Sequence, residues 1–339
     1  MTRLLLGCVV CSIAAFGCSS DTGEEGHGVE GSGGTSSGTS GNGGSTTGGS
    51  AATGTGGIIV GIGGGGTSGS STGGSAATGN GTAELCDGVD NDANGVIDDV
   101  DAGGDGVCDC LNIGTLGHIG PWSSGGNIFA TWLNARTPRG AVELADQVLT
   151  PELLAPLNVI VSLHVHTEAV SSGSVTAPAH HAFDDSEVAA FSAWVRGGGG
   201  VMTTIGYSHD ESAEVVNVNR LLTSIGMGYS TTNLDLTSFV DTWLPHPVTD
   251  GVRNIFTDNG VEVSGTGMVV AHGEESRAAL EVLQVEGGRA VVWGDEWITY
   301  DSEWEDVEGQ QVELFWLNIL KWLSPPRICQ VPIPPDVPR

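Results

Sequence analysis

The hydrophobic pattern of the chain alternates between short apolar runs and segments with helical spacing. Residues 184–196 have the helical spacing, with Val188 and Phe191 on one face and acidic residues at the start. The glycines at 197–200 end this predicted helix. The apolar run at 200–206 is short and bounded by glycines, which predicts a strand buried on both faces of a parallel sheet.

The same alternation extends over most of the C-terminal two-thirds of the chain. The predicted strands are 111–117, 141–147, 157–165, 200–206, 261–263, 267–271, 279–284 and 289–293, and the predicted helices are 127–134, 150–154, 184–196, 212–225 and 310–323. This order predicts an α/β fold with a mostly parallel sheet and helices on both faces.

The N-terminal part of the chain lacks this pattern. Residues 19–83 are dominated by Gly, Ser, Thr and Ala and contain no aromatic residue. Such a segment buries too little surface to offset its conformational entropy, so we predict a disordered Gly/Ser/Thr-rich tether. The predicted α/β domain therefore occupies residues 111–325, and a Pro-rich tail follows at 326–339.

Residues 1–18 combine Arg3 with a short apolar run that ends at Gly17 and Cys18. The run is too short for a comfortable transmembrane helix. It resembles a bacterial lipoprotein signal peptide, in which Gly directly before Cys is a favoured junction. The resemblance implies lipidation of Cys18, an acyl anchor in a lipid bilayer and a cell-envelope location, at the outer membrane. An ordinary secretory signal cleaved nearby is the alternative.

Export makes the remaining cysteines informative, because disulfides persist in oxidising compartments. The disulfide candidates are Cys86, Cys108, Cys110 and Cys329. Three pairings are open, and the sequence does not choose among them. A bond between Cys108 and Cys110 is the least favoured, because so short a loop is strained. A bond from Cys329 to either of them would tie the tail to the start of the domain.

The acidity of the chain excludes one class of partner. Asp and Glu number 41 against 11 Lys and Arg, which gives a formal net charge of −30. A charge of this sign argues strongly against nucleic acid and other polyanions as partners.

Residues 84–110 concentrate part of this acidity around Gly95, with oxygen-bearing side chains at alternate positions. The predicted ligands of a calcium ion are Asp90, Asp92, Asn94, the carbonyl oxygen of Val96, Asp98 and Asp101. The segment resembles thrombospondin type 3 repeats and the CDGxDNDCDGxxDE repeat of secreted myxobacterial proteins, with Ala93 in place of the second Cys. The alternative is an acidic, solvated linker without an ion.

Residues 111–323 contain five short motifs: WVRGGG at 194–199, NRLLTSIG at 219–226, HPVTDGV at 246–252, GGRAVVWGD at 287–295 and FWLNILKWL at 315–323. Together they resemble the class I glutamine amidotransferase-like domains, which have a flavodoxin-like three-layer fold. Active members carry a Cys nucleophile on the turn after a central strand. This chain has no Cys between Cys110 and Cys329, so ammonia transfer is not expected.

Four polar residues near the ends of two predicted strands form a candidate site. His164 and His166 alternate along one strand and face the same side, which is a metal-ligand spacing on sheets. Asp295 and Glu296 follow another strand. These four residues are the catalytic candidates if the domain is a hydrolase, with or without a metal. A polar crevice without metal is the favoured reading.

Two tryptophans indicate ligand binding instead of catalysis. Trp297 and Trp304 lie in an acidic, aromatic loop, a composition that suits carbohydrate stacking and hydrogen bonding, although such residues also fill cores. His180 and His181 lie in a Pro/Ser-rich loop and are expected to be exposed. The sequence thus predicts a non-catalytic cell-envelope lipoprotein whose domain binds a glycan or another small ligand; the alternative is a hydrolase acting at the same sheet edge.

Overall fold

The computed structural model describes residues 82–122, 125–206, 211–234, 238–305, 309–325 and 329, all within the compact unit Thr72–Arg339. The predicted signal peptide with Cys18, nearly all of the tether and most of the tail lie outside the described residues. Within the described ranges, no helix is long and apolar enough to cross a membrane.

The described residues form an α/β structure. The strands are β1 (Ile113–Leu116), β2 (Val142–Ala145), β3 (Val159–Ser162), β4 (Val170–Ser172), β5 (Val175–Ala177), β6 (Gly200–Thr203), β7 (Met227–Asn233), β8 (Ser238–Phe239), β9 (Thr242–Trp243), β10 (Phe256–Thr257), β11 (Val261–Gly265), β12 (Met268–His272), β13 (Ala278–Val285) and β14 (Gly288–Trp293). The helices are α1 (Asn127–Asn134), α2 (Pro151–Leu154), α3 (Asp185–Arg196), α4 (Glu211–Thr223), α5 (Asp301–Glu305) and α6 (Val312–Leu323).

The main sheet has eight strands in the order β2-β1-β3-β6-β14-β13-β12-β9. The first five strands are parallel, whereas β13, β12 and β9 run antiparallel to their neighbours. Only Glu286 and Gly287 connect β13 to β14. A parallel crossover needs about a dozen residues or more, so this short connection makes the pair antiparallel. The predicted parallel core is confirmed, and the sheet as a whole is mixed.

Alternate residues of the buried parallel strands contribute to two apolar clusters. In β3, Val159 and Val161 belong to one cluster and Ile160 to the other. The first cluster includes buried residues of α1 and α6, and the second includes those of α3 and α4. Because successive strand residues point to opposite faces, each set packs against its own helices.

Helix α3 begins where the sequence predicts. The Asp184 carboxylate accepts hydrogen bonds from the backbone N–H groups of Ser186 and Glu187, and the Glu187 side chain accepts one from the Asp184 N–H. This capping box satisfies N–H groups that no carbonyl within the helix can reach. Gly198, with φ +125°, then takes a conformation that other residues rarely adopt. The predicted helix, turn and strand are confirmed.

One disulfide closes the acidic segment on itself, and a second joins the segment to residue 329. Cys86 is bonded to Cys110, and Cys108 to Cys329, with sequence separations of 24 and 221 residues. The backbone N–H of Cys329 also donates to the carbonyl oxygen of Ile97 (2.8 Å). The prediction that these four cysteines form disulfides is confirmed, and the pairing that was open is now defined.

Candidate functional site

His164 and Glu296, which follow the carboxyl ends of β3 and β14, lie close together inside the domain. They are 3% and 2% exposed. A β-carbon placed on Gly206 would lie 3.0 Å from both His164 Nδ1 and Glu296 Oε1. The two side chains therefore meet over the backbone that follows β6, where only a glycine leaves them room.

Glu214 of α4 completes this buried cluster. Its Oε1 lies 3.3 Å from His164 Nδ1, in an ion pair that is not aligned for a hydrogen bond. The same carboxylate accepts hydrogen bonds from the backbone N–H groups of Val165 (3.0 Å) and Gly206 (3.1 Å). Sequence reasoning missed Glu214. The available signal was a carboxylate four residues before Val218, on the apolar face of its helix.

Tyr300 fixes the Glu296 carboxylate from another side. Its hydroxyl donates to Glu296 Oε1 (2.8 Å). A β-carbon on Gly120 would lie 2.6 Å from that same oxygen and 2.6 Å from the Tyr300 hydroxyl. The loop after β1 can approach the pair this closely only because residue 120 is a glycine.

Burial and mutual charge together set the protonation of the cluster. Burial lowers the pKa of His164, but the Glu214 and Glu296 carboxylates more than compensate and bring it to about 9. Burial raises the pKa of Glu296 to about 7, although the charge of His164 opposes the rise. Burial also acts to raise the pKa of Glu214, yet the charge of His164 leaves it below its ordinary value. The cluster thus holds a protonated imidazole beside Glu214 and a second carboxyl that titrates near neutrality.

His166 lies against the cluster, whereas Asp295 makes other contacts. The rings of His164 and His166 stack with centroids 5.6 Å apart. The Asp295 carboxylate instead accepts hydrogen bonds from the backbone N–H groups of Asp258 (2.6 Å) and Trp297 (3.0 Å). Burial raises the Asp295 pKa well above its ordinary value. The structure therefore brings three of the four sequence candidates together.

A cavity of about 350 Å³ lies beside Asp258 and Trp297, the two residues whose backbone N–H groups donate to Asp295. Its lining residues are Trp122, Asp258, Asn259 and Trp297. The Asn259 side-chain N–H donates to Asp258 Oδ1 (2.6 Å), which orders the polar wall. Asp295 therefore positions two of the lining residues through their backbones.

Of the two tryptophans predicted to bind a ligand, Trp297 lines this cavity and Trp304 packs elsewhere. The Trp304 ring lies 5.5 Å from that of Trp132 and 6.3 Å from that of Phe129. Its indole N–H donates to the carbonyl oxygen of Ile298 (3.1 Å). Trp304 thus contributes to an aromatic cluster beside α1.

The acidic segment brings together carboxylates that differ in part from the predicted ligand set. Ligand atoms of Glu84, Asp92 and Asp99 lie within 4.8 Å of one another. Asp101 instead accepts hydrogen bonds from the backbone N–H groups of Asp105 (3.1 Å) and Gly106 (2.9 Å). Asp101 therefore begins a second turn of the segment.

The other predicted ligands are engaged locally. Asp90 accepts from the backbone of Asn94 and Gly95, Asn94 Oδ1 accepts from the Val96 N–H, and Asp98 Oδ1 accepts from the N–H groups of Asp87 and Gly88. Calcium binding by the segment stays a prediction.

No protein-family model matches the chain, and no curated protein matches it. Among solved structures, it is similar to a cytoplasmic protein of Salmonella typhimurium LT2 (13% identity, 63% of this chain, 100% of that one, TM-score 0.47). It is also similar to a second Salmonella typhimurium cytoplasmic protein (12% identity, 64% of this chain, 100% of that one, TM-score 0.48). A third similar structure is a ThuA-like protein of Bacteroides uniformis (14% identity, 63% of this chain, 91% of that one, TM-score 0.37). Likeness at this level carries no functional information.

Proposed function

We propose that the chain is a cell-envelope lipoprotein whose α/β domain binds a neutral glycan at the carboxyl edge of its sheet. The observation that carries this proposal is the cavity with indole rings from Trp122 and Trp297 and polar groups from Asp258 and Asn259. Indole faces pack against the C–H faces of sugars, while carboxylate and amide groups bond to sugar hydroxyls.

The position of the cavity supports the same proposal. Trp122 follows β1 and Trp297 follows β14, two parallel strands of the main sheet. In open α/β sheets, ligands bind in crevices at the carboxyl ends of the strands. A net charge of −30 favours an uncharged ligand over an anionic one.

We further infer a flavodoxin-like, three-layer domain of the class I glutamine amidotransferase-like type. Numbered in chain order, the five parallel strands lie as second, first, third, fourth and fifth. That order is the flavodoxin-like one. The chemistry of amidotransferases is not part of the proposal, because residues 111–325 contain no cysteine and the four cysteines on either side are in disulfides.

The lipid anchor and calcium belong to the same proposal. Lipid on Cys18 would hold the domain to the outer membrane through the tether, and calcium in residues 84–110 would offset the repulsion among their carboxylates. Mass spectrometry of the N-terminal peptide from the native host tests the anchor. An unmodified mature N-terminus away from Cys18 would overturn it.

Glycan binding can be tested with the full-length chain and a panel of neutral cello-, malto-, manno- and chito-oligosaccharides, followed by calorimetry and tryptophan fluorescence. We expect Trp297→Ala to weaken binding at least about tenfold, as loss of a buried aromatic contact does. The matched control is Trp243→Ala, because Trp243 lines a different cavity. Failure of every sugar to bind, or equal losses in the two variants, would refute the proposal.

A hydrolase is the second candidate, and the cluster of His164, Glu214 and Glu296 favours it. Buried groups with strongly shifted pKa values occur often at catalytic sites, and Glu296 titrates near neutrality. The almost complete burial of these side chains favours the binding proposal. Hydrolysis of p-nitrophenyl glycosides or esters that disappears in Glu296→Gln would favour the hydrolase, and activity that persists would exclude this cluster.

A further inference from the structure

Another group of ionisable side chains lies where the residues after β2 meet those before α3. Asp146 directly follows β2, and His180 and His181 precede the capping box of α3. One ligand atom from each of the three residues lies within 4.8 Å of the other two. Neither the glycan cavity nor the His164 cluster uses these residues.

The expectation that both histidines are exposed is wrong, because His180 is buried and His181 is half-buried. Its side chain is 1% exposed, that of His181 is 27% exposed and that of Asp146 is 48% exposed. The His180 backbone N–H donates to the carbonyl oxygen of His166 (2.8 Å), and the Asn217 amide donates to that of His181 (3.0 Å). These bonds fix the loop of His180 and His181 against the domain, while Asp146 on the opposite side of the group faces solvent.

The three side chains lie close enough to share a cation, although two ligand atoms of a tetrahedral zinc ion lie about 3.3 Å apart, so Asp146 must draw back from His181 to admit the ion. Asp146 Oδ1 lies 2.5 Å from His181 Nδ1 and 3.5 Å from His180 Nδ1. Imidazole nitrogen and carboxylate oxygen are typical zinc ligands, and three protein ligands leave a fourth position for water or another ligand. The His180 Nδ1 also lies 2.8 Å from the His181 carbonyl oxygen, a contact that metal binding would replace.

The second ring nitrogen of His181 contacts a carboxylate, as the second nitrogen of a metal-binding imidazole usually does. Nε2 of His181 lies 2.8 Å from Glu187 Oε1, and the Glu187 side chain is 1% exposed. Glu187 Oε1 also accepts the Leu149 backbone N–H (2.9 Å). A carboxylate on the distal nitrogen fixes the tautomer and orientation of the ring and raises its basicity as a ligand.

This tautomer has a direct consequence for Asp146. When Nε2–H is donated to Glu187, the Nδ1 lone pair of His181 faces Asp146 Oδ1 at 2.5 Å. Two lone pairs at that separation repel each other unless a proton or a cation lies between them. A metal ion can take the place of the bridging proton when the Asp146 side chain, which is 48% exposed, moves back by about 1 Å, and Glu187 then keeps its place.

We propose that Asp146, His180 and His181 bind one borderline divalent transition-metal ion, with Zn²⁺ as the best match to two imidazoles and one carboxylate. Glu187 is a positioning residue that acts through His181. The site does not depend on glycan binding, and it differs from the oxygen-only calcium segment.

The test uses full-length chain purified without a polyhistidine tag, in excess Ca²⁺ so that residues 84–110 are occupied. Zn²⁺ is titrated by calorimetry, and Co²⁺ by its visible ligand-field bands, which report coordination geometry independently of any activity. We expect one equivalent of either metal and a low-symmetry, four- or five-coordinate Co²⁺ spectrum.

Three variants probe the proposed contacts. Asp146→Asn and His181→Asn should each weaken Zn²⁺ binding at least about tenfold, and Glu187→Gln by roughly 10- to 100-fold. Glu187→Gln keeps the capping box possible, since Gln also serves at that position. The matched controls are Glu143→Gln, at an exposed residue, and His272→Asn, at a half-buried one, both outside the group. Thermal melting checks that each variant is folded.

The outcomes are separable. Loss of the Co²⁺ bands in folded Asp146→Asn and His181→Asn, with both controls unchanged, supports the site. No uptake by the wild-type chain, or uptake that these variants leave unchanged, overturns it. Loss of zinc binding with glycan binding retained would show that the two sites are independent.

Discussion

Nδ1 of His164 lies 3.3 Å from Oε1 of Glu214, and both side chains are 1% exposed. Charges buried to this degree persist because each partner offsets the desolvation cost of the other. Removing one partner leaves the other buried and uncompensated, which costs roughly 3–5 kcal/mol.

We therefore expect Glu214→Gln to lower the free energy of unfolding by about 3 kcal/mol or more, measured by urea denaturation. The matched control is Glu143→Gln, because Glu143 lies 4.0 Å from His118 but is 75% exposed. Exposed pairs contribute about 0–1 kcal/mol. Similar losses in the two variants would contradict the assignment of the buried pair.

The stability of the domain should decrease as the pH rises above about 4.5. Native Glu296, with a pKa raised from 4.5 to about 7, retains a proton that the unfolded chain releases, so its contribution is lost as the pH rises through about 7. The pKa of His164 is raised from 6.5 to about 9, so the stability that its protonation contributes is also lost as the pH rises between those two values. The contribution of Glu214 has the opposite sign and is lost as the pH falls below 4.5, because its pKa is lowered.

Melting temperatures recorded from acid to alkaline pH check this prediction. Glu296→Gln keeps an acceptor for Tyr300 but cannot ionise, so its stability should fall less steeply than that of the wild type between pH 4.5 and about 7 and still fall towards about 9. A wild-type profile that is flat across this range would refute the prediction.

A methyl group on Gly120 should disturb the Glu296–Tyr300 hydrogen bond. Its β-carbon would lie 2.6 Å from both Glu296 Oε1 and the Tyr300 hydroxyl, which are held inside the domain. We expect Gly120→Ala to destabilise the protein by roughly 1–3 kcal/mol, the usual cost of overpacking. Gly103→Ala is the control, because its β-carbon would meet only Asp105 atoms at 4.0 Å. Calorimetric melting that shows equal stability for the two variants would contradict the close approach.

The two disulfides should differ in their contribution to stability. Loop-closure entropy gives about 5 kcal/mol for the 221-residue separation of Cys108 and Cys329 and about 3 kcal/mol for the 24-residue separation of Cys86 and Cys110. The double variant Cys108→Ser/Cys329→Ser should therefore lose more stability in guanidinium unfolding than Cys86→Ser/Cys110→Ser. The reverse order would show that contacts of residues 84–110 outweigh chain entropy.

Calcium titration can distinguish the ligand set that the spacing predicts from the carboxylates that lie together. Asp92 belongs to both sets, Glu84 only to the second and Asp90 only to the first. If the grouped carboxylates hold the ion, Glu84→Gln should weaken calcium uptake at roughly millimolar concentration more than Asp90→Asn does. Absence of uptake by the wild-type chain would leave the segment an acidic spacer.

Much of the fold was predictable because its signals are local. The acids at the start of α3, the glycines after it and the apolar run of β6 each specify structure within a few residues, and the predicted bounds of α1 agree with the observed ones. Strand pairing was harder to predict. The sequence indicated where β12, β13 and β14 lie, but their antiparallel pairing follows from connection length and sheet position.

The candidate site was less predictable because it depends on contacts between distant residues. Glu214 lies 50 residues from His164 in the chain, and a lone sequence shows it only as one more acid on a helix. His180 looked exposed because its loop is polar, but the backbone of His166 and the side chain of Asn217 hold that loop against the domain.

The pairing of the cysteines also determines how the domain bears mechanical load. A force applied to the chain before Cys86 and after Cys329 crosses from Cys86 to Cys110, passes through Asp109 to Cys108 and leaves through Cys329. This covalent route bypasses the whole sheet. While both bonds are intact, tension along the chain cannot separate strands of the sheet. The domain lies outside the path that carries the force and stays folded under load.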